Sequence, residues 1–251
     1  MLGLASTIKS GFKSPAITQG FRYGKTPYLV FNGVDEYLDW GSPAVSAPEK
    51  IGTQDFTIML VLRPELDGDF TNSFAHIFQY GEYGASQGAS GASGPSIALF
   101  YDQESTGNKR DLRFLVDNGT GYRIWVSNIN FDTDNDPDAP ICLFITYDRT
   151  AEAVKMYFCK NAGSGGSPTV VTPTPFTGGT SFDWSLTLTS SNTDDGATGG
   201  SWLFGARRKS VSSAEEIRKW CPVRIYDFAL WNDKVATSAE IAEISLHTGH
   251  S

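Results

Sequence analysis

Apolar and polar residues alternate with a period of two along most of this chain. The alternating runs are short and bounded by Gly, Pro, Asn and Asp, which predicts β-strands joined by turns rather than helices. In residues 28–41, YLVFNGVDEYLDWG, Leu29 and Phe31 share one side, Asn32 and Gly33 have the chemistry of a tight turn, and Tyr37, Leu38 and Trp40 resume the apolar pattern. That pattern predicts a hairpin. Residues 55–64, DFTIMLVLRP, form a continuous apolar run of the kind found in a fully buried strand. Further strands are expected at 76–80, 97–101, 111–117, 122–127, 182–189, 202–206 and 223–230, whereas 84–94 and 161–179 are Gly-, Ser- and Thr-rich and read as loop.

The clearest pairing is 141–159. If Asp148 faces Ala153 across the loop Arg149-Thr150-Ala151-Glu152, then Leu143 faces Phe158, Ile145 faces Met156 and Tyr147 faces Val154, so six apolar side chains share one face. The same register sets Cys142 opposite Cys159, and free thiols are expected there because opposed strand Cβ atoms sit farther apart than a relaxed disulfide requires. Near the end, Thr237-Ser238-Ala239-Glu240 is a capping box ahead of Ile241 and Ile244, with Gly249 as the stop, and predicts one short helix. Residues 1–27 are too poor in apolar side chains for a core strand. They read as an N-terminal arm ahead of a single domain at 28–251, an arm that frays or docks on a neighbouring subunit.

Several of these segments carry a family resemblance. Phe31-Asn32-Gly33-Val34-Asp35-Glu36-Tyr37-Leu38, the strand Phe56-Thr57-Ile58 through Arg63-Pro64, and the closing Val223-Arg224-Ile225-Tyr226-Asp227-Phe228-Ala229-Leu230 resemble, in order, motifs of laminin-G-like domains of the concanavalin A-like superfamily. Val61 stands where that family usually has Trp, and Cys221-Pro222 stands where relatives often have Asp-Glu. The resemblance implies an all-β fold, an antiparallel jelly-roll β-sandwich with one short C-terminal helix. The opening Met1-Leu2-Gly3-Leu4 with Ile8 resembles the start of laminin-G-like proteins of tailed-phage virions, which implies a virion location, with an extracellular one as the alternative.

Charge narrows the partners. A net charge of −8 and a pI near 4.9 repel phosphate backbones and anionic membranes, so neither a nucleic-acid role nor membrane insertion is expected. Arg207-Arg208-Lys209 is too short a basic cluster to reverse this and reads as a solvated loop. No apolar run approaches the roughly 20 residues of a membrane helix. The first residues lack the charged and apolar regions of a secretory signal, so the chain is expected to begin near Met1 and to fold in a reducing cytosol. Three cysteines give neither an even disulfide framework nor a metal pair.

Candidate chemistry is sparse. The superfamily includes glucan hydrolases, whose paired carboxylates line one strand face, but no such string occurs here. Asp35 and Glu36, the nearest approach, flank a turn on opposite faces and read as turn residues. Gly84-Ala85-Ser86-Gln87-Gly88 spells a nucleophile elbow without the strand and helix that motif needs, so no enzyme is expected. Asp132, Asp134 and Asp136, in a loop also holding Asn135 and Asp138, supply the dense hard oxygens of a Ca²⁺ site, though Asp runs are common in turns and a solvated acidic loop is the favoured reading; no other cofactor is implied. For a glycan, Tyr80, Tyr83, Tyr122 and Trp125 are the aromatic candidates, with Tyr83, Tyr122 and Trp125 taken as ligand-binding. Together these observations predict a non-enzymatic virion building or adhesion protein. It would assemble with copies of itself or with other virion proteins through its arm, and display a jelly roll toward a host-surface glycan. The alternative is a soluble, Ca²⁺-dependent carbohydrate-binding module.

Overall fold

A computed structural model of the chain describes residues 19–22, 28–41, 55–65, 74–81, 96–103, 110–117, 122–130, 140–159, 169–171, 174–176, 182, 184, 202–211 and 214–247. In chain order the first strands are β1 (Gln19–Arg22), β2 (Leu29–Asn32), β3 (Leu38–Gly41), β4 (Phe56–Pro64), β5 (Ala75–Tyr80), β6 (Ser96–Gln103), β7 (Arg110–Asp117) and β8 (Tyr122–Asn130). There follow β9 (Ile141–Asp148), β10 (Ala153–Cys159), β11 (Thr169–Val171), β12 (Thr174–Phe176), β13 (Trp202–Phe204), β14 (Arg207–Val211), β15 (Ala214–Arg218), β16 (Pro222–Asn232) and the helix α1 (Ser238–His247). Among the described residues they form two seven-stranded antiparallel sheets and a separate β14–β15 hairpin. Sheet A runs β1-β16-β4-β9-β10-β11 with β2 also on β16, and sheet B runs β12-β8-β7-β6-β5-β13-β3. The fold is an antiparallel jelly-roll sandwich with one short C-terminal helix.

Period-two alternation turns one face of each sheet inward. Phe56, Ile58, Leu60 and Leu62 of β4 meet Leu99, Tyr101, Leu112 and Phe114 of sheet B in one buried cluster that fills the space between the sheets. A second cluster lies on the outer face of sheet A, where Met59, Val61, Phe144 and Trp231 are covered by Ile241 and Ile244 of α1. This double burial is why β4 is buried at every position from Phe56 to Leu62, and apolar at all of them but Thr57, rather than alternating.

The expected 141–159 pairing is reproduced residue for residue, from Asp148 opposite Ala153 to Cys142 opposite Cys159, and all three cysteines are buried thiols outside any disulfide. The capping box is also made. Thr237 Oγ1 accepts from Glu240 N at 3.3 Å, and Glu240 Oε2 accepts from Thr237 N at 2.9 Å.

Other expectations are corrected. The 28–41 segment is not a hairpin: β2 pairs with β16 in sheet A and β3 with β13 in sheet B, so its turn carries the chain from one sheet to the other. Asn32 holds that crossing. Its side-chain oxygen accepts from the amides of Val34, Asp35 and Glu36, while its own amide donates to Glu36 Oε2 at 2.8 Å. The stretch 161–179, expected as loop, contains β11 and β12, which extend opposite sheets; Arg207-Arg208-Lys209, also expected as loop, lies in the strand β14. Phe182 lies in no regular element and Trp184 in a turn where a strand is expected, and 185–189 lies outside the described residues. Within the segment expected as an arm, Gln19–Arg22 forms β1 on the edge of sheet A. A strand at an edge needs only a backbone ladder, not the apolar pattern that marks a core strand.

Candidate functional site

The two outer faces of the sandwich differ. That of sheet A is closed by α1, whereas that of sheet B carries polar and ionisable side chains brought into rows by strand register. One row reads His76, Phe100, Arg113 and Val126 across β5, β6, β7 and β8. The next reads Gln79, Ala98, Leu115 and Ile124, and a third Ser96, Asp117 and Tyr122. His76, Gln79, Ser96, Arg113 and Asp117 are all buried, and Ala98, Phe100, Leu115 and Ile124 form the apolar cluster between them, with Phe74 and Tyr122 half-buried at its margins.

Local contacts fix these groups. His76 Nδ1 donates to the Phe74 carbonyl at 2.8 Å, and its ring stacks on Phe100 with centroids 5.0 Å apart. Gln79 Nε2 donates to Gly81 O at 2.8 Å. Beside them Phe74 and Lys219 both hold positive φ, 66° and 57°, an uncommon conformation for side chains of that size. They are tied together, since the Lys219 ammonium lies 5.7 Å from the Phe74 ring centroid and the Lys219 carbonyl accepts from His76 N at 3.0 Å. Strained backbone of this kind persists only where its surroundings over-determine it.

Of the ligand candidates from the sequence, Tyr122 lies on this face. Trp125, from the same strand, points the other way: it is 4% exposed and packs against Phe114, Phe182 and Trp184 in the inter-sheet core. Arg123 covers the same aromatic group, 5.5 Å from the Phe182 ring centroid and 5.9 Å from that of Trp184. Tyr80 is likewise buried, against Trp202. Tyr83 lies outside the described residues. So do the calcium candidates Asp132, Asp134 and Asp136, and among the described residues no group of three or more His, Cys, Asp and Glu is placed to hold a metal ion. Asp35 and Glu36 serve the turn: Asp35 Oδ1 accepts from Asn32 Nδ2 at 2.8 Å and Glu36 Oε2 from the Asn32 amide. Cys221-Pro222, where relatives often have acids, is a packing position, with Cys221 N donating to Gly205 O at 2.9 Å and Pro222 set against Gly33. Among the described residues no helix is long and apolar enough to cross a membrane.

His76, Gln79, Ser96, Arg113 and Asp117 escape a reading of the sequence because polar residues at alternate strand positions ordinarily mean a solvated face. Their burial, which needs coordinates, is what sets them apart.

In fold, the chain is similar to a mutant of the NanB sialidase from Streptococcus pneumoniae, at 11% identity over 86% of this chain and 27% of that one, with a TM-score of 0.50. The fold is an antiparallel jelly-roll β-sandwich. The LG1-3 region of the laminin alpha2 chain aligns at 12% identity over 81% of this chain and 31% of that one, with a TM-score of 0.48. Full-length tailspike protein 2 from Escherichia coli O157:H7 bacteriophage CAB120 aligns at 12% identity over 98% and 30%, with a TM-score of 0.49. The chain thus spans less than a third of the length of each of these proteins. At these identities the likeness is one of fold alone. No family model matches the chain, and neither does any curated protein.

Proposed function

We propose that this chain is a non-catalytic recognition module of a virion, in which a rigid jelly roll presents the margin of the outer face of sheet B, at Tyr122, to a glycan and the N-terminal segment provides attachment. The observation that carries this reading is Tyr122, half-buried at the margin of the outer face of sheet B, in one row with the polar residues Ser96 and Asp117. Glycan recognition calls for an accessible aromatic face beside fixed polar groups, and Tyr122 and Phe74 are the partly exposed aromatic residues of this cluster. The virion location is supported by the resemblance of the chain's opening residues to those of tailed-phage proteins. The engagement of Asp35 and Glu36 in their own turn supports a non-catalytic role, because carboxylates committed to backbone and Asn32 donors are poorly placed as acid and nucleophile. The test is binding of the full chain to a glycan array with and without a calcium chelator. The proposal expects at least one class of glycan to be retained in both conditions, and an empty array in both would contradict it. Binding that disappears on chelation would instead favour the soluble calcium-dependent module, with Asp132, Asp134 and Asp136 as the residues to vary.

A further inference from the structure

The outer face of sheet A continues past the helix that covers it. Ile244 of α1 and Tyr226 of β16 both pack on the outer cluster. Beyond them, at the ends of β2, β16 and β4, Arg224 stands opposite Val30 on one side and Arg63 on the other. Phe31, Leu62, Val223 and Ile225 turn into the core between the sheets, so strand alternation turns this row outward. Val30 is 48% exposed.

Arg224 is held from two directions. Its Nε lies 2.5 Å from Glu65 Oε1 and its Nη2 donates to Glu65 Oε2 at 3.1 Å. Its Nη1 donates to the Tyr28 hydroxyl at 3.3 Å, and the guanidinium lies 5.0 Å from the Tyr28 ring centroid. Tyr28 in turn packs on Tyr226, with ring centroids 5.2 Å apart. Glu65 divides its charge, because Arg63 Nε also donates to its Oε1 at 3.0 Å. These contacts fix the Arg224 guanidinium without exhausting it. Of its five N–H groups, Glu65 and Tyr28 engage three, which leaves one on each Nη nitrogen of a side chain that is 27% exposed. Burial holds the Tyr226 hydroxyl above its ordinary value, with Arg63 and Arg224 opposing, so at neutral pH it stands beside them protonated.

A donor on each Nη of a fixed guanidinium suits a carboxylate. The surroundings decide what carries that carboxylate. The hydroxyls of Tyr28 and Tyr226 call for further oxygens close by, and Val30 adds an apolar contact. An acidic sugar meets both demands, with ring hydroxyls beside its carboxylate and an apolar ring face, whereas an acidic peptide side chain has methylenes in their place.

We infer that Tyr28, Arg224 and Tyr226, with Glu65 as the positioning residue of Arg224, form a second binding site, on the sheet opposite Tyr122, for the carboxylate-bearing sugars of an acidic glycan. The inference rests on the reading of the chain as a glycan-recognition module and adds to it a site and a ligand class.

The test is calorimetric titration of the full chain with tetragalacturonate, with its methyl ester, which keeps the rings and removes the charge, and with tetraglutamate, which keeps the charge and removes the sugar. Tetragalacturonate is expected to bind and each control to bind more weakly by about tenfold or more, the worth of hydrogen bonds to a charged group. Arg224→Gln should weaken tetragalacturonate binding to the same degree. Equal binding of either control, unchanged affinity in Arg224→Gln, or no binding of tetragalacturonate overturns the inference. If Arg224→Gln fails to fold, phenylglyoxal footprinting of the unaltered chain decides: tetragalacturonate should slow modification of Arg224, and an unchanged rate contradicts the site. A neutral glycan retained on the array while tetragalacturonate is not bound removes this site and leaves the recognition reading standing, whereas binding of neither removes both.

Discussion

Two glycines at positive φ, Gly33 and Gly205, set the path of the chain near the sheet crossing. Gly205 holds φ at 82°, and a Cβ there would lie 2.4 Å from Phe31 Cδ1, inside the ring that plugs this end of the core. Gly205→Ala combines backbone strain with this clash and is expected to cost roughly 1–3 kcal/mol. For a domain of this size that lowers Tm by about 2–4 °C for each kcal/mol, readable in a thermal melt. At the helix start, the Lys234 ammonium and the Thr237 amide hold the Glu240 carboxyl below its ordinary value of 4.5. A lowered folded value means that the stabilisation is present above that range and is lost as pH falls through the folded value. The Tm gap between the chain and its Glu240→Gln variant should therefore be open at neutral pH and close in acid; a gap that widens in acid would contradict the assignment. Burial pushes the Cys159 and Cys221 thiols up, with a hydroxyl contact from Ser245 partly opposing this at Cys159. A thiol reagent at mildly alkaline pH should accordingly find little to modify in the folded chain and all three thiols after unfolding without reductant.

At the scale of elements, Thr57 connects β4 to the segment leading into α1. Its hydroxyl donates to Lys234 O at 2.8 Å and accepts from Ala236 N at 2.9 Å, in a fully buried setting. Thr57→Val keeps the shape but strands both backbone groups, which costs about 1–3 kcal/mol for each buried group left unpaired. Faster amide exchange across Ser238–His247 is the expected readout. Elements whose stability comes from local chemistry were legible in the sequence: the β9–β10 register follows from its alternation and loop length, and the cap of α1 from Thr237 and Glu240. The fate of 28–41 was not, because Asn32 and Gly33 specify a change of direction but not the partner strand. That choice falls to β16 and β13, whose paired residues lie far away in sequence, Pro222 opposite Asn32 and Phe204 opposite Leu38. β1 and β12 were missed for a related reason, since short edge strands depend on backbone pairing with a distant partner and show no periodicity of their own.

At the scale of the molecule, the fold was legible because motifs spread from Phe31 to Leu230 resembled one family in order, whereas the candidate site was not. Tyr122 lies at the margin of the outer face, but Trp125, three residues along the same strand, turns inward, since strand alternation sets residues an odd number of positions apart on opposite sides. The polar rows of sheet B arise only when β5, β6, β7 and β8 are laid side by side. The account's central claim is that recognition takes place on that face. Its most direct test is the affinity of the chain and of its Tyr122→Ala variant for a glycan retained on the array, measured by titration with thermal melts run beside it. The account predicts at least a tenfold loss of affinity, about 1.4 kcal/mol, with the melt nearly unchanged. Equal affinity in the two proteins would place recognition elsewhere on the sandwich and contradict the claim.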